Sequence, residues 1–324
     1  MKAFIIKEYG TSSDLKRSEL SMPTPKEKEV VVKVKSSAVN DYDWSLLRGK
    51  PTIYRLIFGL FKPRLQLGME LSGIVDSVGS KVKRFKPNDA VYGDTSDFNF
   101  GTFSEYCCIN EDALTSKPAE ISFEQAAAIS HAGNLASQAL IDIGKIEKGQ
   151  KVLINGAGGG VGCIALQLAK NFEAEVWGVD STVKLEKMKT LGFDNVIDYK
   201  HQNFTALDDR FDIILDAKTS YAPWKYLKVL KQKGKYVSIG GKVSKLLQLA
   251  VFKGIISLIT KKKLALVSLK TNKDLDFLSK LIIDGKLTPV IDGPFKQEEL
   301  PLALQRFGEG LHFGKVIVEM DQSV

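Results

Sequence analysis

Two hydrophobic periods succeed one another along the 324-residue chain. In the first third, apolar residues form short β-branched or alternating runs separated by turn residues. Residues 29–34 and 71–78, the latter followed by Gly79, read as strands, residues 85–93 as a turn entering a strand, and residues 101–106 as the start of another. From about residue 122 the texture changes. Ser122-Phe123-Glu124-Gln125 has the form of a capping box and predicts a helix over residues 125–129.

An alternating series follows. Val152, Leu153 and Ile154 belong to a short buried strand. Val161, Ile164, Ala165, Leu168 and Ala169 then fall at i, i+3, i+4, i+7 and i+8, one face of a helix. Between them lie Gly156, Ala157, Gly158, Gly159 and Gly160. A turn from strand to helix offers unpaired N–H groups and the positive end of a helix dipole to a phosphate. Glycines let the chain turn tightly and let a pyrophosphate approach, and Gly162 lets the helix pack close to the strand. The strict pattern G-x-G-x-x-G is not met, since its nearest register is Ala157, Gly159, Gly162. A second strand, residues 174–179, ends on Asp180, close to the ~20-residue spacing of a carboxylate that reaches an adenosine ribose. The unit predicts a bound dinucleotide. Later strands at 195–199, 211–216 and 235–240, mostly separated by helical runs, extend it to a doubly wound parallel sheet. An edge strand at 264–269, helices near 273–283 and 297–309, and a closing strand at 315–319 complete the pattern.

Composition narrows the class. With 44% hydrophobic residues the chain can build two domains with cores of their own. Three cysteines without a C-x-x-C exclude a disulfide framework and suggest a reducing compartment. The start, MKAFIIKEYG, enters a strand without signal-peptide organisation, so a cytoplasmic location is expected. The net charge of +8 reads as a solvated basic surface. Lys261-Lys262-Lys263 is its one true cluster, too short to argue for nucleic acid. The apolar stretch 246–259 reads as too short and interrupted to span a bilayer.

Several segments, in order, carry a resemblance over nearly the whole chain. They are Val39-Asn40 through Asp43 with Arg48-Gly49, Leu67-Gly68-Met69-Glu70 through Gly73, and Ala126-Ala127-Ala128, followed by the glycine loop. Leu191-Gly192-Phe193 with residues 196–199, Asp284-Gly285-Lys286 with residues 289–292, and Gly314-Lys315-Val316-Ile317-Val318 follow. The chain resembles the medium-chain dehydrogenase/reductases, in their zinc-free quinone oxidoreductase-like branch. The resemblance implies an α/β protein with a chaperonin-10-like (GroES-like) β-barrel catalytic domain from residues 1–121 and 265–324. A Rossmann dinucleotide-binding domain, residues 122–264, is inserted in it, and the active site is expected in the cleft.

Zinc relatives hold a catalytic metal with cysteine, histidine and cysteine, ligands suited to tetrahedral zinc. The matching positions here are Asn40, Met69 and the neighbourhood of His131, so no metal is expected. Cys107 and Cys108 are adjacent and point to opposite faces of a strand, which does not make a structural zinc site. Without a Lewis acid, alcohol oxidation is poorly supported, whereas a quinone or enone spreads the incoming charge itself. Asn40, Tyr42 and Tyr54 are the candidate hydrogen-bond donors for catalysis. The resemblance places the cofactor on Asn40, Ala157, Gly158, Gly159, Gly160, Val161, Gly162, Asp180, Ser181, Lys184, Tyr199, Ile239, Gly240 and Lys315. Asp180 favours NADH by repelling a 2′-phosphate, while Ser181 and Lys184 match phosphate-holding positions. The expected cofactor is therefore NADPH, with NADH as the alternative. A small apolar quinone or enone substrate and a homodimer are expected, and neither nucleic acid nor a membrane span. The apolar segments 53–61 and 246–259 are expected to line the acceptor pocket or a subunit interface. A zinc alcohol dehydrogenase and a nucleotide-binding protein without catalysis, an RNA binder included, are the other classes open at this point.

Overall fold

The computed structural model describes the chain except residues 62, 64, 65 and 321–324, and describes Ile57 by its backbone alone. The last four residues of the expected C-terminal segment thus lie outside it. The chain divides into two compact units, one of Met1–His131, Thr271–Ile283 and Ile291–Val324, the other of Ala132–Lys270 and Asp284–Val290.

The first unit opens with β1 (Lys2–Ile5), β2 (Lys16–Glu19), β3 (Glu29–Ala38), α1 (Asp41–Arg48) and α2 (Ile53–Phe58). It continues with β4 (Glu70–Val78), β5 (Ala90–Asp94), β6 (Tyr106–Asn110), β7 (Thr115–Ser116) and α3 (Phe123–Ile129). The second unit begins with α4 (Ala132–Ser137), β8 (Lys151–Asn155), α5 (Gly160–Lys170), β9 (Glu175–Asp180), α6 (Leu185–Leu191) and β10 (Asn195–Asp198). Then come β11 (Phe211–Asp216), α7 (Pro223–Tyr226), β12 (Leu230–Ser238), α8 (Val243–Thr260) and β13 (Lys263–Leu266). The chain returns to the first unit through α9 (Leu275–Ile283), β14 (Ile291–Lys296), α10 (Leu300–Gly308) and β15 (Lys315–Glu319).

In the first unit the sheet order is β14-β15-β3-β4-β5-β7, with β6 also on β3. Strand β3 lies at its centre, paired with β15, β4 and β6. Val30, Val32 and Val34 join the main core with Leu71, Val91 and Val316. At the end of the strand Ala38 packs with Ala127 and Ala128 of α3 in a separate small cluster, residues small enough to let a helix lie close on a sheet. The capping box forms: Ser122 Oγ accepts from Gln125 N at 3.1 Å and Gln125 Oε1 accepts from Ser122 N at 3.0 Å. Helix α3 packs on β3, β4 and β15 and belongs to this unit, whose first segment ends at His131.

In the second unit six parallel strands run β10-β9-β8-β11-β12-β13. The order reverses between β8 and β11, and such a reversal opens a crevice at the carboxyl ends of the strands. Register pairs Asn155 with Val179, Asp216 with Asn155 and Ser238 with Asp216, so these polar ends share one edge. One expectation is corrected. The stretch 246–259 is not interrupted but lies within α8, a continuous helix of 18 residues, long and apolar enough to cross a membrane by length and composition. Its only glycine, Gly254, is absorbed because hydrogen bonding along a helix tolerates one such residue at about 1 kcal/mol.

Candidate active site

The glycine loop is built as its sequence requires. Buried β8 hands over to Gly156, whose φ of 82° is in the left-handed region. Gly159 caps α5 and offers no side-chain cap, so the first turn presents its N–H groups to an anion. At Gly162 a Cβ would stand 2.4 Å from the Ala157 carbonyl oxygen, so only glycine lets the loop close over the first turn. Gly160 and Val161 are part-exposed where the helix begins, and Ala157 is buried beneath it. This cradle fits a pyrophosphate.

Asp180, at the end of β9, faces the loop. Its Oδ2 accepts from Gly158 N at 2.9 Å and its Oδ1 from Ser181 N at 2.8 Å. Lys184 Nζ stands 3.7 Å from Oδ1, and only 6% of the lysine side chain is exposed. Burial pulls the Lys184 pKa down, against the pull of Asp180. Lys184 is thus no solvated helix residue: it lies over the loop, where a Cβ on Gly158 would come within 2.7 Å of its Cδ. Tyr199 follows β10, half-exposed, and its N–H donates to the Asp180 carbonyl. Ile239 N donates to the Asp216 carbonyl, and Gly240 next to it opens on space free of described atoms within 4 Å.

Sequence reading missed Asp216. Its carboxylate is fully buried and accepts from Asn155 Nδ2 at 2.7 Å, Lys218 N at 2.9 Å, Thr219 N at 2.8 Å and Tyr236 Oη at 2.9 Å. It locks the turn after β11 beside the loop. An acid ending the apolar run Phe211-Asp212-Ile213-Ile214-Leu215-Asp216 was its one visible signal.

In the first unit, sheet register assembles a second polar cluster. Glu70 on β4 pairs with Asp94 on β5, and β15 pairs with the end of β3 through Ile317 and Ala38. That brings Asn40, just past β3, to Glu70 and to Lys315 at the start of β15. Lys315 Nζ donates to Asn40 Oδ1 at 2.6 Å and lies 2.5 Å from Glu70 Oε2. Asn40 Nδ2 donates to Glu70 Oε2 at 2.6 Å and to the Ala38 carbonyl at 3.2 Å. Asn40 therefore spends its amide on positioning Glu70 and Lys315. Glu70 Oε1 accepts from His131 N at 2.5 Å, and His131 Nδ1 lies 2.6 Å from Asp94 Oδ2.

Charges here are held away from water. Burial pushes Asp94 upward, but the His131 contact and the Ser96 N–H outweigh it, so the carboxyl ends below the usual range. Asp43 accepts from Gly68 N and Asn40 N, both at 2.8 Å, yet complete burial lifts it to about 7, aided by the Glu70 charge. Glu70 and Asp94 escaped the sequence reading of the site, although Glu70 stands out as an acid between Met69 and Leu71.

The donor set does not fit zinc. The Asn40 amide is saturated by Lys315 and Glu70, Met69 is wholly buried in the core, and His131 is turned to Asp94. A dication would also meet the ammonium of Lys315 as a like charge.

Tyr42 and Tyr54 lie edge to face, 6.1 Å between centroids, and Tyr54 stacks on Phe58, which meets Phe100 edge-on. Burial raises both phenols, Tyr54 to about 12, with Asp41 adding its charge to each. Both are neutral O–H donors at physiological pH. At helix α2 an apolar hollow is lined by Thr52, Ile53, Arg55, Leu56, Leu60 and Phe61, a set that includes neither tyrosine.

Comparison with known proteins agrees with this fold. Residues 26–119 match the model of an alcohol dehydrogenase GroES-like domain, and residues 191–318 that of a zinc-binding dehydrogenase. The chain is 32% identical, over 98% of its length, to a 2-methylene-furan-3-one reductase of Solanum lycopersicum, of which 79% is covered. Identity is also 32%, with the same coverage, to an NADPH-dependent alkenal/one oxidoreductase of Arabidopsis thaliana, a chloroplast protein. Among solved structures, a quinone oxidoreductase from Coxiella burnetii superposes with a TM-score of 0.84 at 26% identity, covering 99% of both chains. The chloroplast relative lends no support to the expected cytoplasmic location.

Proposed function

The chain belongs to the medium-chain dehydrogenase/reductase superfamily, in its quinone oxidoreductase-like branch, and from that premise we propose that it is a zinc-independent reductase. It transfers hydride from NADPH, with NADH as a weaker second cofactor, to a quinone or an α,β-unsaturated carbonyl. One observation carries the reading. Of the positions that hold metal in zinc relatives, Asn40 is closed on the Lys315 ammonium, Met69 is buried in the core and His131 is turned to Asp94, so the acceptor must delocalise its own charge.

When bound, NADPH supplies the hydride that reduces the acceptor. The N-terminus of α5 and the loop Ala157 to Gly162 hold its pyrophosphate. Ser181 and Lys184 take the 2′-phosphate. Asp180 does not repel it, because its charge is answered by Lys184 and two N–H groups. Tyr199, Ile239 and Gly240 flank the nucleotide from the strand ends. Asn40, Glu70 and Lys315 hold one another in a buried cluster and would help to hold the cofactor through Asn40 and Lys315. Tyr42 and Tyr54, kept protonated, donate hydrogen bonds to the oxygen that gains the electron pair, and a solvent proton completes the product. The hollow on α2 favours a bulky apolar acceptor. A homodimer belongs to the same reading and is checked by velocity sedimentation.

The test is a panel of quinones, enones, alkenals and simple alcohols, run with each nicotinamide and followed by its absorbance. Reduction of quinones or enones with NADPH, unaffected by chelator, is the expected result. Stoichiometric zinc in the purified protein, with activity confined to alcohols, would sink the reading.

A further inference from the structure

Helix α8 has two apolar faces, and only one is used. Leu249 is fully buried and Ile256 packs into the core beside Tyr226 and Tyr236. On the opposite side Leu247, Val251, Ile255, Leu258 and Ile259, spaced i, i+4, i+8, i+11 and i+12, form an exposed stripe. Leu258 is 84% exposed and Ile259 74%. Phe252 widens the stripe and meets Trp224 of α7 edge to face at 6.3 Å, both residues being partly exposed. A contiguous apolar surface of this kind on a soluble domain marks a contact with something.

Charge identifies the partner. Residues 217–273 contain fourteen lysines and no aspartate or glutamate, while the whole chain carries +8, so the remainder sums to −6. All of the positive excess is concentrated around this helix in sequence. Lys225, Lys242, Lys253, Lys261 and Lys263, on α7, on α8 or at its ends, are exposed. A second copy presenting the same face would bring like charges together. An apolar stripe bordered by lysines and aromatic rings instead matches a helix lying in the headgroup region of an anionic bilayer.

We propose that α8 docks the protein on the surface of a bilayer carrying anionic lipids, with the outer stripe in the headgroup–acyl boundary and the lysines among the headgroups. The helix lies along the surface and does not cross it. Its inner face is part of the core, and the next strand, β13, is paired with β12 through four residues. This inference does not depend on the reaction proposed above.

The experiment is co-sedimentation of the whole protein with phosphatidylcholine vesicles, with and without phosphatidylserine. Binding to the phosphatidylserine vesicles at low salt is expected, with loss in high salt and on pure phosphatidylcholine. Lys261→Glu with Lys263→Glu should weaken it by at least about tenfold. Val251→Glu with Leu258→Glu, at exposed positions that leave folding intact by circular dichroism, should abolish it. Brominated acyl chains should quench tryptophan fluorescence, and Trp224→Phe should remove that quenching. Failure of the wild type to bind anionic vesicles overturns the proposal, as does undiminished binding of the folded Val251→Glu/Leu258→Glu protein. Conversion of a dimer to a monomer by that pair, without vesicles, also overturns it, because a second copy would then own the face.

Discussion

Gly162 and Gly254 both lie inside helices, and replacing each by alanine separates two effects that normally occur together. Alanine is favoured over glycine in a helix interior by about 0.8–1.0 kcal/mol. At Gly254, in α8, an added Cβ meets no described atom within 4 Å. Gly254→Ala should therefore stabilise by about 0.5–1 kcal/mol, raising Tm by about 1–4 °C for a domain of this size. At Gly162 the same methyl would stand 2.4 Å from the Ala157 carbonyl oxygen and 2.6 Å from its Cα, where ordinary contact begins at 3.4 Å. Those are backbone atoms, so the loop itself must move by about 1 Å, at an overpacking cost of about 1–3 kcal/mol. Against the helix gain the net loss is about 0–2 kcal/mol, small enough for the protein to fold. Cofactor binding should suffer more, since the displaced loop is the phosphate cradle: NADPH affinity should fall at least tenfold, about 1.4 kcal/mol. Urea denaturation followed by tryptophan fluorescence gives the stabilities, and titration of NADPH fluorescence gives the affinity. A folded Gly162→Ala protein with unchanged NADPH affinity would refute the argument, and so would destabilisation by Gly254→Ala.

Lys184→Ala should weaken NADPH by about 10–100-fold, the value of a hydrogen bond to a charged group, and NADH far less; equal losses in paired titrations would move the adenosine site elsewhere. Glu70→Gln leaves the Lys315 ammonium buried with its counter-charge gone, so it should cost about 3–5 kcal/mol in denaturant unfolding. The joint change Glu70→Gln with Lys315→Met should recover much of that, and a lack of coupling would show that the pair acts separately. Asp94 has a folded pKa below its unfolded value, so its contribution is present above the unfolded value and disappears as pH falls through the folded one. His131→Ala removes the contact that holds it down, so the acid limb of Tm against pH should shift to higher pH; an unmoved limb counts against the Asp94–His131 pair.

Local pattern was enough for most of the framework. Strand β15 at Lys315–Glu319 and the Ser122–Gln125 box were legible because each depends on a few neighbouring residues. The glycine loop was legible for a similar reason: a strand, a helix face and a cluster of small residues are all written within twenty positions. Boundaries set by distant partners were not. Strand β12 starts at Leu230, five residues before the apolar run that signals it, because Phe211 of β11 pairs with Leu230 across a bulge.

What only the tertiary structure decided is which charges meet. Asn40, Glu70, Asp94, His131 and Lys315 are spread over 275 residues, and antiparallel register together with the packing of α3 on the sheet brings them into one cluster. The sequence showed that Asn40 and Met69 are poor metal ligands, but not that an ammonium would answer the carboxylate beside them. It likewise left open whether Lys184 is solvated, and the packing of its stem over Gly158 takes it out of solvent. For residues 246–259 the sequence determined how apolar the segment is. Which side is covered depends on where the neighbouring strands lie, and hydrophobicity carries no direction until a fold supplies one.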